Sequence, residues 1–366
     1  MRGTRIIFLI ACCLLVLQCT GRQEGMQQPI EFYLDQDFAQ TTKSSLVLEP
    51  TPIFPEGEQV DTLWIAAVAR DMKTDDHLTK GVPYSSATGF PTDKNLGVIA
   101  YTYDSEGASF SLWELYTEED DSWPLRYSVE TGRWLPTPDL YYPSVEGYVR
   151  FFAFGPREEN LTDENVTGIS AEKHSAPALS YTVPSAIEDQ RGLLVASPEP
   201  RQYPYRLQDL SVPLRLEHVL SGVRFAVDYL HNLISVTVSG VYDQGKYYMA
   251  SESWGEHRKS IVVNPGPSYF IGPFNPASSS YYESDMERVS SILYRVASKY
   301  TLMMIPQYLP DGAKITVQLE GEASPRVLNV SGQLWEKGKI VTYLIAYDRI
   351  SLSAMVPDNL IWDTSD

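Results

Sequence analysis

The chain has 366 residues, 47 acidic against 29 lysines and arginines, and a formal charge of −18 at neutral pH. That balance lacks the basic footprint of a nucleic-acid binder and disfavours electrostatic docking on anionic lipid. A hydrophobic content of 43% supplies packed cores, and the length exceeds one ordinary domain and predicts two.

All three cysteines, Cys12, Cys13 and Cys19, lie at the very start of the chain. Arg2 and Arg5 precede the apolar run Ile6 to Leu17, the pattern of a secretory signal peptide. The run is short for a bilayer span, which takes about twenty apolar residues. Cleavage before a cysteine that then carries acyl chains accounts for a body without any later thiol. Val16-Leu17-Gln18-Cys19 resembles a lipobox, with Gln18 in place of the usual small residue. Leu9-Ile10-Ala11-Cys12 fits that motif better but leaves too short an apolar core. Cys19 is therefore the predicted lipidation site, with 1–18 as signal and 19–28 as a polar tether; a plain signal peptide with incidental cysteines is the alternative. Losing Arg2 and Arg5 takes the formal charge from −18 to −20. Without further cysteines there are no disulfides, zinc-thiolate sites or cysteine nucleophiles in the mature chain.

Beyond the tether the apolar residues mostly alternate. Ile234-Ser235-Val236-Thr237-Val238-Ser239 and Ile315-Thr316-Val317-Gln318-Leu319-Glu320 put aliphatics on one face and polar groups on the other. Period-two patterning predicts half-buried strands, and 25 prolines and 23 glycines leave few windows for long helices. The best helical window is Ser284 to Ala297, with poor hydrophobic spacing. The predicted fold class is all-β. Three prolines within Ser197 to Pro204 read as a stiff linker, which divides the chain into domains at 29–200 and 207–366.

Several segments, in order, resemble the fimbrillin family of Bacteroidales surface lipoproteins. Ile30-Glu31-Phe32 resembles the family's opening strand, and Tyr142-Pro143 with Val149-Arg150-Phe151-Phe152-Ala153-Phe154 its aromatic "WP … FFAYYP" stretch. Asp189-Gln190-Arg191-Gly192-Leu193-Leu194-Val195-Ala196 resembles "DQ-x-DLLVA", with Gly192 replacing an aspartate. Leu216 to Ser221 resembles "F-x-H-x-L-S", Pro306-Gln307 the family's "PQ", and Trp335 to Tyr343 "W-x-x-G-K-x-x-x-Y". The resemblance implies two transthyretin-like β-sandwich domains and a fimbrial or adhesin-like surface subunit at the outer membrane. It also implies polymerisation with other subunits by strand exchange, with residues 340–362 as the donor; the alternative is that this segment completes its own sheet in the monomer. Stalk members lose the lipidated N-terminus to an arginine-directed protease. Here no arginine occurs between Arg22 and Arg70, and Arg70 lies in the apolar run beginning at Leu63. That pattern predicts a retained anchor, as in an anchor or accessory subunit.

The residues read alone give mainly scaffold roles. Phe151, Phe152 and Phe154 supply core area, Gly338 turns the chain, and Pro306 ends a strand. The five histidines, His77, His174, His218, His231 and His257, have no metal-ligand spacing, and no hydrolase or nucleotide-binding motif occurs. Glu118 to Asp121 reads as a solvated acidic loop. No enzyme, metal or cofactor is expected. The competing reading is a glycan-binding lipoprotein, in which Tyr141-Tyr142, Tyr247-Tyr248 or Tyr281-Tyr282 turn one ring outward.

The cysteine distribution generates a direct test. Cys19→Ala is expected to release the protein from membranes and abolish incorporation of a fatty-acid analogue in metabolic labelling. Persistent labelling of that variant moves the anchor to Cys12.

Overall fold

The computed structural model describes residues 29–34, 58–60, 63–71, 96–103, 110–112, 122–128, 130–142, 147–155, 169–170, 176–190, 192–203, 211–228, 232–259, 268–278, 285–288 and 293–346. Cys19, the signal segment, the tether and the acidic run Glu118 to Asp121 lie outside these residues, as do Tyr281 and Tyr282. The described elements are strands joined by turns and 3-10 turns such as Ile187–Asp189. The all-β expectation holds. The helical window of the sequence is instead divided between strands Met286–Arg288 and Leu293–Val296, which pair antiparallel. Its weak 3.6-residue periodicity offered no apolar stripe for a helix to bury.

A ten-stranded sheet organises the first half. Its order runs from Ser211–Leu214 through Glu31–Leu34, Arg133–Pro136, Trp123–Ser128, Leu96–Tyr103, Gly147–Gly155 and Leu194–Ala196 to Glu217–His218. The first and last strands of that path are separated in sequence by Arg215 and Leu216 alone. The sheet must therefore curl until its ends approach. Ile30, Phe32, Trp134, Phe151 and Leu214 fill the inside, with Phe32 edge-on to Phe151 at 5.2 Å.

Strands Leu96–Tyr103 and Gly147–Gly155 are buried on both faces. Val98, Ala100, Phe151 and Ala153 point into the curled core, whereas Ile99, Tyr101, Phe152 and Phe154 enter a second, larger one. A strand between two cores loses its polar face, which is why both read as continuous apolar runs. Gly97 lies opposite Phe154, whose ring passes 2.6 Å from where a Cβ would stand.

The larger core joins the two halves. It contains Ala67, Phe152, Leu179 and Tyr181 from the first half together with Phe225, Val236, Tyr269 and Trp335 from the second. Sheet pairing crosses the predicted division as well. Ala178–Thr182 pairs with Gln244–Tyr248, and Leu63–Asp71 pairs with Lys339–Ala346. A boundary at 200/207 therefore does not partition the hydrogen-bonded sheets. Nor is the proline-rich stretch a free connection: Arg201–Tyr203 pairs with Gly147 to Val149, and the Arg150 guanidinium donates to Pro198 O and Ser197 Oγ. Prolines 198 and 200 stop sheet pairing locally, yet the chain around them is held by side chains.

Two buried glutamines serve where a ladder is missing. Gln190 donates from Nε2 to Pro184 O (2.9 Å) and accepts at Oε1 from the Met303 amide (2.7 Å), bridging the halves. Gln307 accepts from the Tyr242 amide and donates to the Tyr242 and Ile305 carbonyls. Each side-chain amide pairs with backbone groups as a strand would. Gln190→Leu keeps the volume but strands a buried donor and a buried acceptor. It is expected to cost about 2–4 kcal/mol, seen as a lower urea midpoint at unchanged slope.

Candidate assembly seam

Lys339–Ala346 is a central strand. Gly338 starts it with φ +71°, its amide donating to Leu220 O at 2.9 Å, while a Cβ there would stand 3.3 Å from His218 O. One neighbour is Ser221–Asp228, parallel, from Gly222 opposite Ile340 to Val227 opposite Ile345. The other is Leu63–Asp71, antiparallel, with eight opposed pairs from Asp71 at Lys339 to Trp64 at Ala346. Every residue from Ile340 to Ala346 is buried. Val341, Tyr343 and Ile345 face the shared core, and Ala67, opposite Tyr343, is buried with them.

Tyr343 locks the strand in place. Its ring stacks on Phe225 at 5.7 Å and 18°, its hydroxyl receives a hydrogen bond from Trp335 Nε1 (3.1 Å), and that hydroxyl donates to Gln333 Oε1 (3.0 Å). The Trp-x-x-Gly-Lys-x-x-x-Tyr segment is thus a buried indole, a left-handed turn and the tyrosine that the indole bonds. Burial pushes the Tyr343 phenol well above the usual tyrosine range.

Lys339–Ala346 completes its own sheet and is enclosed on both sides and both faces, the alternative stated for this segment. The remainder of the predicted donor, including Val356 to Trp362, lies outside the described residues. The early strand Leu63–Asp71 is the element that sequence reasoning left without a partner. Its apolar run was visible, but nothing in periodicity says that a strand will cross to the far end of the chain. Arg70 sits within this strand, opposite Ile340, as the apolar run predicts.

A second early segment is intercalated between later strands. Glu31–Leu34 lies between Ser211–Leu214, which it meets in parallel over four pairs, and Arg133–Pro136, which it meets at Phe32 and Trp134. The Ile30 amide donates to Leu140 O at 2.7 Å, and Phe32 is fully buried. Glu31–Leu34 therefore lies between two later strands, whereas Leu63–Asp71 has Lys339–Ala346 on one side and the preceding strand Glu58–Val60 on the other.

The other sequence candidates fall apart from the seam. Tyr247 is buried and Tyr248 exposed, one ring to each face of Gln244–Tyr248, and Tyr248 donates to Glu256 Oε1 at 2.7 Å. His218 is buried beside Leu194, and His257 Nε2 bonds Pro306 O at 2.8 Å. Among the described residues, no three or more His, Cys, Asp or Glu side chains gather as a metal site.

The sequence matches a family model described as fimbrillin-like over residues 84–359. The chain belongs to the fimbrillin-like family. Solved structures similar to this fimbrillin-like chain include a fimbrial protein from Bacteroides vulgatus, 13% identical, covering 69% of this chain and 88% of its own at a TM-score of 0.48. They also include the fimbrial anchor protein Mfa2 from Porphyromonas gingivalis, 15% identical, with 64% and 74% covered and a TM-score of 0.28. No curated protein matches the sequence.

Three buried tyrosines give the fimbrillin-like fold an alkaline limit. Burial raises Tyr343, Tyr247 and Tyr269, while the unfolded chain ionises near pH 10. Stability is therefore complete below about pH 10 and falls as pH rises above it, because only the unfolded state releases protons. Tyr343→Phe is expected to make that fall shallower by about 1.4 kcal/mol per pH unit in urea titrations between about pH 10 and 12.

Proposed function

We propose that this protein is a structural fimbrial or adhesin-type subunit, carried on the outer membrane by lipid at Cys19 and joined to other subunits by strand exchange. The observation that carries the reading is that Glu31–Leu34 lies between two later strands and Leu63–Asp71 pairs over eight residues with Lys339–Ala346. Withdrawing either segment leaves backbone donors and acceptors of its neighbours unpaired. A strand from another subunit restores the ladder, and alternating side-chain sites set its register. The exchange partner of Lys339–Ala346 is thus the position of Leu63–Asp71, with the C-terminal strand as part of the acceptor. The section beyond residue 346 remains available as the donor segment in this proposal.

Before any exchange the same ladder shields the N-terminal segment from cleavage. Arg70 is the first arginine after Arg22, and its backbone is held opposite Ile340. An arginine-directed protease needs an extended, unpaired segment in its cleft, which a strand within a sheet does not offer. The lipid then stays covalently joined to the fold, which suits an anchor or accessory position.

Ala69 and Val341 are directly opposed in the ladder, and a chain lacking 1–19 has no native cysteine to interfere. Ala69→Cys with Val341→Cys is expected to close a disulfide under oxidising conditions and hold the protein monomeric. Dithiothreitol restores intersubunit ladders in unboiled gels. Equal polymerisation in the locked and reduced states sinks exchange at this seam.

A further inference from the structure

The four-stranded sheet Ser268–Ile271, Leu233–Ser239, Lys314–Leu319 and Arg326–Asn329 turns its other face away from the shared core. Val236, Val238, Ile271, Ile315, Val317 and Leu328 point inward. On the outward face, register aligns one row straight across all four strands: Phe270 opposite Thr237, Thr237 opposite Thr316, Thr316 opposite Val327. Phe270 and Val327 are each 49% exposed, and both threonines are partly exposed. The row presents a ring, two threonine side chains and an isopropyl group over three strand spacings, roughly 14 Å.

The flanking rows are polar and uncharged save for one residue. Ser239 and Lys314 oppose each other on one side, and Ser235 and Gln318 on the other. A chain with 47 acidic residues places none of them at the outward positions of these four strands. An apolar strip bordered by hydroxyl and amide groups matches the cross-section of a sugar chain, whose ring faces are C–H surfaces rimmed by hydroxyls. Aromatic rings with a free face stack on such surfaces. Protein-binding patches are enriched at their centres in Tyr, Trp, Phe, Met and Arg and depleted in Ser and Lys; Phe270 alone of this row and its serine- and lysine-bearing borders belongs to the enriched set. Anionic polymers are disfavoured by a single lysine on a chain of charge −18.

We infer that this sheet face binds a neutral glycan strand laid along the Phe270–Thr237–Thr316–Val327 row. The face lies on a sheet whose strands pair with none of the seam strands. The test is calorimetric titration of the soluble protein, residues 20–366, with cellohexaose, laminarihexaose, mannohexaose, maltohexaose and chitohexaose. Saturable binding to at least one is expected, weakened at least tenfold by Phe270→Ala and lost in Thr316→Asp. Because Phe270 is exposed, Phe270→Ala is expected to leave the urea midpoint unchanged, and Val327→Lys, also exposed, serves as a second variant with the same outcome. Absence of binding to all five at millimolar concentration overturns the inference, as does binding that none of the variants weakens. Dimerisation abolished by the same substitutions, with no sugar bound, assigns the face to a second copy of the chain and overturns it equally.

Discussion

The whole arrangement depends on one core that neither half can fill alone. Ile99, Tyr101, Phe152 and Phe154 form the outer layer of the curled sheet, and they are covered only because Phe225, Val236, Tyr269 and Tyr343 come from beyond the proline-rich stretch. Burying a large side chain contributes about 1.5–3 kcal/mol, so leaving four aromatics or aliphatics on an open sheet face is a loss no small domain tolerates. The crossing ladders and the Gln190 bridge follow from that requirement. They hold the backbone of each half at the distance at which the side chains between them interlock.

The strands themselves were legible from residue patterning. Val236, Val238, Ile315, Val317 and Leu319 face inward as the alternation predicts, Val236 opposite Val317, while a register shift between Leu233 and Ser235 puts Leu233 in place of Ile234 in the core. Gly338 and Pro306 punctuate the chain where their backbone restrictions require. Pairing partners were not legible, because alternation reports which side of a sheet a residue faces and nothing about which strand lies beside it. Phe151 and Phe152 show the same limit. They read as one core segment, but successive side chains on a strand point to opposite faces and enter different cores.

Sheet pairing crosses the position of the prolines for a related reason. Ring closure removes a backbone donor and restricts the chain, which marks an interruption in pairing and not a gap between domains. Arg150, Ser197 and Met249 hold that interruption against the fold through Ser197 Oγ and the arginine fork. The two motif glutamines were similarly readable as identities without a role. A buried carboxamide carries one acceptor and two donor hydrogens, which is the set needed to stand in for a short piece of strand, and only the three-dimensional neighbours reveal which piece.

The ladder between Leu63–Asp71 and Lys339–Ala346 also imposes a schedule. Synthesis proceeds from the N-terminus, so the early strand emerges long before its partner and waits as an apolar, unsatisfied edge. The entropy of closing so large a loop grows only logarithmically with length, so the finished structure is hardly weakened by it. The rate is another matter, since contacts this distant in sequence form late and slow the search. The last described strand works as a clasp: until it docks, Leu63–Asp71 keeps an open edge and the shared core lacks Val341, Tyr343 and Ile345.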